Sequence, residues 1–241
     1  MGIRRLVGAA LVLGACACAS GCGGTPHGSA VLPAPAATAT PVRPPVVMFL
    51  GDSYTTGGTQ TPPERSYAAD TARDLGWQVI IGGLGGTGFV APGATHEPFI
   101  VLFERQLAWR PAPDMVIVSG GHNDRRYAPA KVAAAAESLL ARIRQLWPDA
   151  RLLLVGPMWG SGAPDPAVLE IRDALAVVAR TLEIPFVDPL GERWITGDRA
   201  NHYGNAGRYI LRDGVHPTLV GHRYIAGRLV GALHRLGLTD P

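Results

Sequence analysis

The sequence predicts an α/β fold in which a parallel sheet carries helices on both faces. Three observations predict it: five short, continuously apolar runs, helical segments alternating with them, and turn-forming Gly and Asp residues directly after several of the runs. A strand buried on both faces is apolar throughout, whereas a half-buried strand alternates with polar residues. Strands and helices in strict alternation are joined by right-handed crossovers, which set helices on either side of a parallel sheet.

In chain order, the first run is Val-Val-Met-Phe-Leu at 46–50, and the others lie at 78–81, 115–119, 152–155 and 184–187. Between them, residues 65–75 follow a Pro-Pro start and read as a helix. Residues 97–109 gather Phe99, Ile100, Phe103 and Leu107 on one helical side, and residues 131–147 are rich in Ala and Leu and stop at Pro148. Helices over 166–182 and 218–236 complete the set. In such sheets ligands bind beyond the carboxyl ends of the strands, at a switch point in strand order, so the chemistry belongs just after each strand.

Composition narrows the function classes. The 241 residues are 47% hydrophobic and 17% charged, too apolar for a disordered chain, and the length suits one core with a tail. The formal charge of +3 falls to +1 once Arg4 and Arg5 are removed with an acid-free leader. That is no footprint for nucleic acid, which needs clustered basic surface. All three cysteines, Cys16, Cys18 and Cys22, lie in the first 22 residues, which excludes disulfides, thiolate metal sites and a Cys nucleophile from the body.

The N-terminal region reads as an export leader. Arg4 and Arg5 precede an apolar stretch at 6–19, short for a bilayer span but suited to a signal-peptide core. Ala19-Ser20-Gly21-Cys22 resembles a bacterial lipobox and makes Cys22 the expected lipidation site; Leu13-Gly14-Ala15-Cys16 is a weaker candidate because it shortens the apolar core. Residues 1–22 are thus a signal peptide, residues 23–45 a Gly-, Ala-, Thr- and Pro-rich tether, and residues 46–241 the folded domain. The expectation is an exported protein that meets the membrane only through its lipid.

Four blocks follow the strands or close the domain: Gly51-Asp52-Ser53, Gly83-Leu84-Gly85-Gly86, Gly120-Gly121-His122-Asn123-Asp124 and Asp213-Gly214-Val215-His216. Together they supply the parts for acyl transfer through a serine. A hydroxyl is a poor nucleophile near neutral pH and needs a base, which an imidazole provides, so Ser53 pairs with His216. Asp213 would hold the imidazole tautomer and stabilise the imidazolium. The oxyanion needs preorganised donors, for which the N–H groups of Ser53 and Gly86 and the amide of Asn123 are the candidates.

These blocks resemble those of the SGNH (GDSL-type) hydrolases, in order and rough spacing, from residue 46 to the C terminus. The resemblance implies a flavodoxin-like three-layer α/β/α sandwich with a five-stranded parallel sheet. It also implies ester hydrolysis without metal or cofactor, a Ser53–His216–Asp213 triad, and Ser53, Gly86 and Asn123 as the oxyanion hole. Where many relatives carry leucine after the nucleophile, this chain has Tyr54, which bears on the pocket floor.

Competing readings are weaker. Gly83 to Gly88 satisfies G-x-G-x-x-G, but Pro92-Gly93 follows too soon for the required helix, and Ser119-Gly120 stands where a ribose-binding acid belongs. No H-E-x-x-H or tight His/Asp cluster outside the triad suggests a metal. Tyr54, His122, Trp159 and Trp194 are candidates for the substrate pocket, the last two on loops expected to border it. The expected substrates are acylated envelope carbohydrates, lipid esters or small esters; an acyltransferase or a non-catalytic envelope-binding lipoprotein on the same fold are the alternatives.

Overall fold

The computed structural model describes residues 43–58 and 60–241; the leader, Cys22 and the tether up to residue 42 lie outside the described residues. In chain order come β1 (Val46–Gly51), α1 (Ser53–Thr56), α2 (Tyr67–Leu75), β2 (Gln78–Gly83), α3 (Phe99–Gln106), β3 (Met115–Ser119), α4 (Pro129–Leu146), β4 (Arg151–Val155), α5 (Pro166–Thr181) and β5 (Phe186–Val187). The short strands β6 (Gly197–Asp198) and β7 (Tyr203–Gly204), then α6 (Ala206–Tyr209) and α7 (Leu219–Leu236), complete the chain.

The main sheet is parallel with order β2-β1-β3-β4-β5. This is the doubly wound order whose direction of winding reverses between β1 and β3, leaving a crevice at their carboxyl ends. The continuous apolar runs are explained by a core on each face. Met48, Leu50, Val116, Val118, Leu152 and Leu154 pack under α3, α4 and α5. Their neighbours Val47, Phe49, Met115, Ile117, Leu153 and Val155 pack under α2 and α7. Adjacent side chains of a strand point to opposite faces, so burial on both sides requires every position to be apolar.

Element ends shift for identifiable reasons. Pro63–Arg65 forms a 3₁₀ turn and Ser66, extended, caps α2 through its side chain to the Ala69 N–H, so the helix starts at Tyr67 rather than 65. Pro98 is likewise extended, delaying α3 to Phe99. The fifth strand keeps only two of its four expected residues. The Ile184 N–H returns to the Ala179 carbonyl at the end of α5, and Pro185 has no N–H to give a ladder. Residues before 46 also touch the domain: the Arg43 guanidinium forks onto both Asp114 oxygens at 2.7 and 2.8 Å, and Asp114 accepts the Val46 N–H.

Candidate active site

The first block makes a sharp passage from strand to helix. Gly51 is needed there because a Cβ would stand 2.1 Å from Thr55 Oγ1. Asp52 then caps α1, its carboxylate accepting the Tyr54 N–H at 3.0 Å while its carbonyl accepts from Thr55 and Thr56. Ser53 thus occupies the first helical position, directly beyond β1 at the switch point.

Ser53 Oγ lies 2.9 Å from His216 Nε2, and His216 Nδ1 lies 2.7 Å from Asp213 Oδ2. Three side chains separated by 163 residues therefore form one hydrogen-bonded line. Asp213 Oδ1 also accepts the N–H groups of Val215 and His216, at 2.9 and 3.0 Å, which fixes the turn that presents the imidazole. Partial burial disfavours the Asp213 charge, but these N–H groups and the imidazole outweigh it and hold the carboxyl below its ordinary range. The carboxylate is thus kept ionised beside the ring.

Facing the hydroxyl are the other two blocks. Asn123 Nδ2 donates to the Thr87 carbonyl at 2.9 Å; an amide nitrogen carries two hydrogens, so one remains for a ligand. Gly86 has φ +79°, a left-handed conformation that favours glycine, and among the described residues no acceptor meets its N–H or that of Ser53. A cleft of about 330 Å³ is lined by Ser53, Gly86, Asn123 and His216 together with Gly58 and Gly85. These two glycines were not singled out by sequence. A Cβ on either would stand 3.5 Å from the Ser53 Cβ, so their bareness keeps both flanks of the nucleophile open.

Behind the cleft, polar residues tie the blocks to one another. Asp124 accepts the N–H groups of Phe89, Val90 and Ala91 at 3.0, 2.9 and 2.8 Å, anchoring the glycine loop to the Asn123 loop. No helix starts within that loop, since the next one is α3 at Phe99, and the dinucleotide fingerprint has no helix terminus to use. Buried His122 places Nδ1 3.3 Å from Asp52 Oδ2. Burial, with the nearby Arg125 charge, pushes His122 down to about 4, whereas burial pushes Asp52 up to about 7 against the pull of the Tyr54 N–H.

The four expected pocket residues divide. Tyr54 is buried, donates its hydroxyl to the Val215 carbonyl and packs edge-on against His122, with ring centroids 5.4 Å apart. With Trp159, these two line a lobe of about 160 Å³ beside the cleft. Trp194 is a correction: it is 1% exposed in the α2/α7 core, its indole bonded to Glu192 and set against Arg228. It borders a small void of about 30 Å³ that shares Met158 and Trp159 with the lobe but does not reach the nucleophile. Chain proximity to the Asp213 block suggested a pocket role, but the ring faces inward. Asp188, after β5, orders its own loop by accepting from Leu190 and Gly191.

Comparison with known proteins bears on the fold and on descent. A profile described as the GDSL-like Lipase/Acylhydrolase family matches residues 49–224. The GDSL lipase Rv0518 of Mycobacterium tuberculosis (strain ATCC 25618 / H37Rv) is 32% identical over 194 residues, 76% of this chain and 79% of the relative. Among solved structures, a family two carbohydrate esterase from Clostridium thermocellum in complex with cellohexaose superposes with TM-score 0.59 at 23% identity, covering 83% of this chain and 67% of that one. The aryl esterase of M. smegmatis gives 0.58 at 20% identity, covering 80% and 99%. At these identities the two structures bear on the fold, a three-layer α/β/α sandwich, and the profile and the curated relative on descent: the chain belongs to the GDSL-like lipase/acylhydrolase family.

Proposed function

We propose that the protein is a serine ester hydrolase acting on carboxylic esters through an acyl-enzyme. The observation that carries this reading is the line Asp213–His216–Ser53, with contacts of 2.7 and 2.9 Å. In the first half-reaction Ser53 Oγ bonds to the ester carbonyl carbon as its proton passes to His216 Nε2, and Asp213 steadies the imidazolium. The carbonyl oxygen, now negative, takes donors from the Ser53 and Gly86 N–H groups and the free hydrogen of Asn123, each such donor being worth about 3–4 kcal/mol in known cases. The bond to the alcohol oxygen then breaks and His216 returns the proton to it. Water repeats the sequence on the acyl-enzyme and releases the carboxylic acid.

Substrates are acylated envelope carbohydrates, lipid esters or small esters, met outside the cytoplasm by a protein lipidated at Cys22 after export. The sequence Ala19-Ser20-Gly21-Cys22 supports the anchor. Replacing Cys22 with Ser should move the protein from the membrane fraction to the soluble one, and equal partition of both forms would remove the anchor.

For the chemistry, Ser53→Ala and His216→Ala should each lower kcat/KM for p-nitrophenyl acetate by at least about a thousandfold, the scale seen when a triad member is lost. Circular dichroism should stay native. A serine-directed phosphonate should label the native chain and not Ser53→Ala; turnover that survives either substitution would overturn the assignment.

A further inference from the structure

The lobe beside the cleft has a feature that ester hydrolysis does not use. It shares His122, Asn123 and Val215 with the cleft of the nucleophile, and its remaining wall is Tyr54, Met158, Trp159 and Arg125, with Gly160 and Gly214 at its edge. Arg125 donates to the His122 carbonyl at 3.1 Å, and its guanidinium lies 6.0 Å from the centroid of the Trp159 ring. Among the described residues it has no carboxylate within 4.0 Å, as is true of several other arginines, but it is the one that lines this lobe. No Asp or Glu lines the lobe. The nearby acids are already engaged: Asp52 with His122, Asp124 with three backbone N–H groups and Asp213 with His216.

A half-buried cation without a carboxylate partner, on the wall of a lobe whose other polar side chains, His122, Asn123 and Tyr54, carry no negative charge, favours an anion carried on a short carbon spacer. Guanidinium offers five donors in a planar fork that matches a carboxylate, and the chain uses one of them. The lobe is also held in shape. A Cβ on Gly160 would meet the Gly214 carbonyl oxygen at 2.0 Å, so the loop after β4 lies directly on the turn that carries His216. A group bound there is therefore fixed relative to the imidazole and Asn123.

We propose that Arg125 and Trp159 form a subsite for a carboxylate borne by the ester substrate, next to the bond that is cleaved. The inference rests on the esterase reading and adds a substrate class to it: esters whose acyl or alcohol part is itself an acid.

Two matched pairs test it on the full chain and separate the two sources. Methyl hydrogen succinate against methyl valerate puts the charge on the acyl side; 2-acetoxypropionate against its amide puts it on the alcohol side. After normalisation to alkaline hydrolysis rates, one pair should show kcat/KM favouring the charged member by about tenfold to a hundredfold, the range for a hydrogen bond to a charged group. Arg125→Gln should bring that ratio close to one, Arg125→Lys should restore part of it, and added salt should shrink it. A ratio near one in both pairs for the native chain, or a preference that survives Arg125→Gln, overturns the subsite while leaving hydrolysis of the neutral esters, and with it the esterase reading, intact. Failure of the native chain to cleave any of the four esters overturns the esterase reading and the subsite together.

Discussion

At the scale of single residues, the site separates groups that change charge from groups held fixed. His216 must be neutral to accept the Ser53 proton, so its protonation removes the base. Partial desolvation disfavours the Asp213 charge, but the Val215 N–H and the contact with His216 outweigh it, so the carboxyl is held below its ordinary range and stays ionised while the imidazole takes its proton. Asp52 accepts from Tyr54 and lies against His122 rather than Ser53, so its charge reaches the His216 imidazole only through space. The acid limb of log kcat/KM should accordingly fall with slope one, reporting one imidazole. A pH–rate profile on p-nitrophenyl acetate checks this, and a slope of two would mean that a carboxyl titrates with the ring. Tyr54 has a fixed role too: its hydroxyl ties the floor of the lobe to the Val215 carbonyl beside His216, a position that leucine could not hold.

At the scale of elements, the loops are joined by side chains more than by their own backbone. Asp124 receives three N–H groups of the glycine loop, and a Cβ on Gly88 would stand 2.3 Å from its carboxylate, so the two loops interlock. Asp124→Ala would strand these buried donors, each worth about 1–3 kcal/mol, and should lower unfolding free energy in urea by about 3 kcal/mol or more. Activity should fall as well, because Asn123 follows the same loop; a loss under about 1 kcal/mol would show that water replaces the carboxylate. The strands and the four blocks were legible because two-sided burial and turn chemistry are local properties of the sequence. The lobe was only partly so. Trp159 could be placed after β4, but the approach of Arg125 from the loop after β3 depends on how two loops meet, and Trp194 was misplaced because sequence proximity does not say which way an indole faces. Likewise the edge strand shortened where Pro185 accepts from Leu154 but has no N–H to give, and where α5 captures the Ile184 N–H, a competition between neighbours that an apolar run does not reveal.

At the scale of the whole molecule, winding both ways from β1 and β3 leaves the crevice at the carboxyl ends of the strands, with the buried pair Asp52–His122 packed beside it. That pair links stability to pH with opposing signs. Asp52, pushed up to about 7 by burial, binds a proton in the folded state that it lacks when unfolded, so its contribution declines as pH rises from about 4 to about 7. His122, pushed down to about 4, is neutral when folded but charged when unfolded below about 6.5, so its contribution declines as pH falls through that window. Between about pH 4 and pH 6.5 the two slopes cancel, since folding moves one proton from imidazole to carboxyl without net uptake. Removing one partner exposes the other. Native chain minus Asp52→Asn, measured by urea unfolding across that range, should therefore give a stability difference that shrinks with rising pH by up to about 1.4 kcal/mol per unit. A difference that grows with pH would instead mean that the His122 N–H keeps Asp52 ionised inside the core.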